Sequence, residues 1–168
     1  MAELAPRERL QPSLLDRLTD DEPGQEVEAR ERRVMSMRSL REGVLRDLAW
    51  LLNTTNLLSV TDRQRLPHLA NSVLNYGMPD MSGASLAGMN TGDLERAIRQ
   101  AIWDFEPRLI RSSVQVKAMP TSSSITKLTF EIEADMWAQP YPERLYIKTE
   151  LDLDQAHISL SESAGRRP

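Results

Sequence analysis

The chain has no cysteine, only two histidines, and no excess of positive charge, its formal net charge being -4. The missing cysteine excludes disulfides and thiolate metal sites and fits a reducing compartment. His68 and His157 lie far apart and outside any H-x-x-x-H spacing, so no metal site is expected and no cofactor. An acidic balance removes the electrostatic basis for binding nucleic acid. The longest apolar run, Leu48 to Leu52, is far short of the ~20 residues that a bilayer helix needs, so no direct membrane insertion is expected. The polar start MAELAPRERL lacks the apolar centre of a secretory signal, and a cytoplasmic location is expected. There is no G-x-S-x-G elbow, no P-loop and no G-x-G-x-x-G, so nucleophilic and nucleotide chemistry lack their usual frameworks.

With 168 residues, 40% of them hydrophobic, the chain is long enough for one domain with a core plus an arm. Residues 1–33 alternate charge clusters with Pro6, Pro12 and the Asp20–Gly24 turn, as an extended N-terminal arm would. One island interrupts it. Leu14, Leu15 and Leu18 fall at helical spacing, enough for a short amphipathic helix that is too short to stand alone. It either folds back on its own domain or hooks into a partner's groove, which makes the three leucines candidate partner-binding residues. The domain proper is expected over 34–160, with 161–168 a disordered tail.

Within the domain, Leu40, Val44, Leu48, Leu51 and Leu52 trace the stripe of a helix from Ser36 to Asn53, with Ser39 and Glu42 at capping-box spacing and Trp50 off the stripe's centre. Pro67 is placed to open a shorter helix through Tyr76, with Leu69 and Val73 inward and Gly77 as its stop. Met78 to Asn90 reads as a surface loop. From Thr91, an N-cap candidate, Leu94, Ile98, Ala101, Ile102 and Phe105 form one buried face of a helix that Pro107 ends near Asp104.

After Pro107 the apolar period switches from 3.6 to 2. Ile110, Val114, Val116 and Ala118 share one face of a first strand, and Leu128, Phe130, Ile132 and Ala134 one face of a second. A third carries Leu145, Ile147, Leu151 and Leu153, after which the phase shifts to Ile158 and Leu160 through a bulge or turn near Asp154. Three strands with short breaks predict an antiparallel meander whose open edges are the Ile110 and Leu145 strands. Only the helices can cover its apolar face, so the expected fold is α+β, two layers, with helices packed on one face of a small antiparallel sheet.

Paired carboxylates could serve glycoside hydrolysis, and Asp104 and Glu106 are the candidates. Glu106, however, is two residues from Arg108, which would keep it ionised and spoil it as an acid, and no catalytic residue is assigned. Glu106 also sits at a helix C-terminus, the wrong end of the dipole for a carboxylate, and so wants a cationic partner. Either Arg108 closes on it, or the proline splays the two toward another chain. If exposed, such a pair contributes only about 0–1 kcal/mol.

Three stretches in this order, L-x-x-S-L-L-D-R-L (Leu10–Leu18), V-L-N-Y-G-M-P-D (Val73–Asp80) and F-E-P-R-L (Phe105–Leu109) before paired strands, resemble the TssE branch of the contractile-tail baseplate wedge family, the branch that serves type VI secretion. The likeness runs from the arm through the third strand. It implies a structural baseplate subunit that starts sheath assembly, although the family carries a "lysozyme-like" label that suggests a peptidoglycan-cleaving hydrolase as the alternative. It implies that Glu106, Pro107 and Arg108 contact the core bundle of other wedge subunits, that a sheet edge pairs with sheath subunits, and that the baseplate docks at the inner membrane.

Overall fold

Residues 13–19, 24, 36–59, 61, 68–70, 72–80, 90–119, 127–138, 142–155 and 157–163 are described by the computed structural model. Apolar residues at steps of three and four make three α-helices, α1 (Leu14–Leu18), α2 (Met37–Leu52) and α3 (Thr91–Phe105). Residues alternating with period 2 make four strands, β1 (Gln115–Met119), β2 (Lys127–Met136), β3 (Glu143–Asp152) and β4 (His157–Glu162). The strands form one antiparallel meander in the order β1-β2-β3-β4. The register sets Val116 opposite Ile132 and Ile132 opposite Ile147, so the inward residues line up across the sheet.

α2 and α3 cover that inner face, and one core joins Leu40, Val44, Leu48, Ile98 and Ile102 to Phe130, Ile132, Leu145, Ile147 and Ile158. Each such side chain taken out of water contributes roughly 1.5–3 kcal/mol, which is what holds the two layers together. The fold is α+β, as the alternation of periods predicts.

Several local features differ from expectation. The apolar phase shift after Asp152 is a turn, and β4 follows it as a fourth strand that extends through Glu162 into the stretch expected as tail. The Leu145 strand is therefore internal, and the sheet's edges are β1 and β4. β1 is shorter than expected because a 3-10 turn, Arg111–Ser113, precedes it. Ser36, not Ser39, caps α2 by accepting from the Ser39 amide, and Glu42 instead pairs with Arg38. Asn90, not Thr91, caps α3. In place of a helix up to Tyr76, the described residues of that stretch form a 3-10 turn, Val73–Asn75, with Leu69 buried but Val73 81% exposed. Asn75 explains part of this. It is buried, and its amide bonds the Leu58 N–H and the Ala70 carbonyl, holding an irregular backbone that a helix would not need held. Pro67, Pro12, residues 81–89 and the hairpin break at 120–124 lie outside the described residues.

α2 and α3 also each guard a sheet edge. The Asn53 side chain, just past α2, accepts from Ile158 N–H at 2.9 Å and donates to its carbonyl at 2.8 Å, as a neighbouring strand would. Arg41 of α2 pairs with Glu143 and Glu162. On the far side, Glu95 of α3 accepts from the Ala118 N–H of β1 at 2.6 Å. Unpaired edge groups invite another strand, so these caps decide where pairing can happen.

Gly77 lets the Tyr76 segment approach α2's end. Its φ of 122° lies in the region that favours glycine, and a Cβ there would collide with the Thr54 carbonyl. Flanking bonds, Met78 N–H to the Thr54 carbonyl at 2.7 Å and Asn56 N–H to the Met78 carbonyl at 2.8 Å, fix that approach. Gly77→Ala is expected to destabilise the domain by at least about 1–3 kcal/mol in urea melts, while Gly24→Ala, with open space around it, changes little.

Candidate functional site at the helix-to-strand elbow

Pro107 removes Glu106 from the helical region, and Glu106 accordingly ends α3 with φ -121° and ψ 79° while its N–H still bonds the Ile102 carbonyl. The chain then turns onto the end of β2. Trp137 N–H donates to the Arg108 carbonyl and Ile110 N–H to the Asp135 carbonyl, both at 2.8 Å, around the Leu109–Met136 bridge. The elbow's backbone is thus pinned from both sides.

Of the two arrangements open from the sequence, Arg108 closes on Glu106. Its Nε donates to Glu106 Oε1 at 2.7 Å and its Nη2 to Oε2 at 2.5 Å, a two-pronged contact, and the Arg108 N–H adds a third bond at 3.1 Å. Nη2 also donates to Asp47 Oδ2 at 2.6 Å. The Glu106 side chain is only 3% exposed and that of Arg108 20%. This is not the exposed pair worth a fraction of a kcal/mol, because removing either partner strands a buried charge. Burial pushes the Arg108 guanidinium down, but the hydrogen bond and charge of Glu106, then those of Asp47, outweigh it and hold it above its ordinary value.

The network continues through α2. Asp47 Oδ1 accepts from Arg46 Nε at 2.9 Å, and Arg46 Nη1 donates to Asp16 Oδ1 at 2.6 Å on α1. Five alternating charges therefore run from α1 to the elbow. Burial pushes the Asp16 carboxyl up, yet the bonds from Arg46 and Ser13 win and leave it below the usual carboxylate range.

Over this network lies an apolar groove of about 510 Å³, lined by Leu15, Trp50, Leu51, Tyr76, Phe105 and Pro107, with Ser13, Asp47, Glu106 and Arg108 at its polar side. Tyr76 meets Phe105 edge to face at 5.3 Å, and its hydroxyl donates to the Asp47 carbonyl at 3.3 Å. Trp50 is 52% exposed, with the Arg46 guanidinium 5.3 Å from its ring centre. All three stretches that carried the resemblance reach this groove: Ser13 and Leu15, Tyr76, and Phe105 through Arg108. Leu14 and Leu18, the other candidate partner-binding residues, are 71% and 74% exposed. Arg46, Asp47, Trp50 and Tyr76 were not singled out from the sequence for this site. The adjacent Arg46-Asp47 charges beside a core stripe were a signal, but any solvated helix face carries such pairs.

Asp104, the other candidate carboxylate, is engaged elsewhere, accepting from Gln100 at 2.8 Å. His68 and His157 are both exposed, and among the described residues no group of His, Cys, Asp and Glu could hold a metal ion. Among them too, no helix is long and apolar enough to cross a membrane.

The described residues define an α+β module with an ion-paired elbow beneath an apolar groove. Residues 38–141 match the family described as Baseplate wedge protein gp25. The match covers most of the chain, including α2, α3 and the whole elbow, and the chain belongs to that family, whose role is structural and whose members contact other baseplate subunits. Comparison with curated proteins and with solved structures returns no match.

Arg108→Met is expected to cost about 3–5 kcal/mol in urea unfolding by leaving Glu106 buried and unpaired, and the double variant with Glu106→Leu to recover much of that. The tie through Asp16 has a pH sign. Its folded pKa is depressed, so its contribution is complete above the unfolded value of about 3.9 and is lost as pH falls through the folded value. Amide exchange in α1 should therefore accelerate below about pH 4, before β2 and β3 open.

Proposed function

We propose that the chain is a non-enzymatic structural subunit of a type VI secretion baseplate, joining the core bundle of neighbouring wedge subunits to the first sheath layer and helping to start sheath assembly. It would act in the cytoplasm, within a baseplate docked at the inner membrane. The observation that carries this reading is the convergence of Leu15, Tyr76 and the Glu106-Pro107-Arg108 elbow on one groove, with Leu14 and Leu18 exposed beside it. Aromatic side chains around a rigid, desolvated ion pair are the composition of a docking hot spot. The internal closure of Arg108 on Glu106 gives the triplet a shape-holding role in docking, with Pro107 and the aromatic rim meeting the partner. The hydrolase alternative draws no comparable support, since both Glu106 oxygens accept from Arg108.

For the sheath, β4 is the better acceptor in its second half. Asn53 occupies the outward groups of Ile158, and the register puts the Leu160 N–H on that same outer side, two residues on. An added strand would pair from Leu160 onward.

The test is co-purification of the tagged chain with its wedge and sheath subunits. Trp50→Glu, at a half-exposed site, is expected to change stability by no more than ~0.5 kcal/mol while losing the wedge subunits. Leu160→Pro, which deletes an outward N–H, is expected to keep the wedge subunits and lose sheath. Undiminished recovery of both partners by both variants would sink the reading.

A further inference from the structure

α1 lies outside the segment that matches the family, yet the elbow network reaches it. A five-residue helix is far below the ~12–15 residues at which a helix holds itself in water, so α1 persists because something completes it. One carboxylate does so. Asp16 Oδ2 accepts from the Ser13 hydroxyl at 2.7 Å and the Ser13 N–H at 3.2 Å, closing the helix's capping box, while Oδ1 accepts from Arg46. Formation of the helix and its docking thus share one group. α1 seats over Gly43 of α2, where a Cβ would come to 3.5 Å from Asp16 Oδ2 and 3.7 Å from Arg108 Nη1, so α1 and the elbow meet on the same patch of α2. Leu15 lines the groove, whereas Leu14 and Leu18 remain mostly exposed.

We propose that α1 is a displaceable strap that walls one side of the groove with Leu15 and holds Arg46, next to the groove residue Asp47, through Asp16, until a partner segment of the same chemistry, an amphipathic helix with a leucine beside an acid, replaces it. This rests on the reading of the groove as a partner-docking face. The exchange preserves the ionic contact, because Arg46 Nη1 passes from Asp16 to the incoming carboxylate. Asp47, Arg108 and Glu106 stay paired throughout, since Arg108 uses Asp47 Oδ2 and Arg46 uses Oδ1.

Two measurements on the full chain test it. Arg46→Gln leaves the Ser13–Asp16 capping box intact and removes the tie. Exchange of the Thr19 amide, which bonds the Leu15 carbonyl, is expected to accelerate by about tenfold or more, with Phe130 and Ile147 amides unchanged. Exchange at the wild-type rate overturns the strap. In co-purification with the wedge subunits, Asp16→Ala is expected to raise association by about tenfold, since the competing state is removed. Unchanged or weaker association overturns displacement. If Trp50→Glu leaves association intact, the docking reading falls instead, and the Thr19 amide still reports whether α1 is held by Arg46.

Discussion

A carboxylate buried at the C-terminal end of a helix is the constraint from which the elbow follows. Glu106 faces the negative end of the α3 dipole with almost no solvent, an arrangement that persists only if a cation is held against it. Arg108 supplies that cation from two residues away, and the intervening proline makes the geometry reachable by taking Glu106 out of helical conformation. Asp47 then shares the guanidinium, which ties the end of α3 to the middle of α2. The connection from helix layer to sheet layer is therefore held by electrostatics and by the bridge onto β2.

The same two helices also define where the sheet is open. α2 places Asn53 on Ile158, and α3 places Glu95 on Ala118, each satisfying an edge group that would otherwise seek another strand. An edge with unpaired groups is a template for chance pairing with other chains, and these contacts blunt it at both sides of the sheet.

Legibility divided along the range of the interaction. The stripes of α2 and α3, the alternation of β1 to β3 and the stop at Pro107 were all readable, because each depends on neighbours three or four positions away, or two. The capping assignments at Ser39 and Thr91 failed by one turn or one residue, where several polar residues compete for the same free amides. The helix up to Tyr76 failed because Asn75 and Gly77 stabilise an irregular path through contacts with Leu58 and Thr54, distant in sequence. The phase shift after Asp152 was visible, but its meaning, a fourth strand and thus a different sheet edge, depended on hydrogen bonds to β3.

By itself the sequence determined the order of helices and strands, the inward residues and the existence of a charged elbow, since periodicity, proline and the helix dipole act locally. Only the tertiary structure decided that Arg108 turns inward to Glu106 and Asp47, that Arg46 carries the network on to α1, and that Leu15, Tyr76 and Phe105 share one groove. Those outcomes depend on how α2 packs against α3, and charges distant along the chain choose partners only after the apolar faces have brought them together.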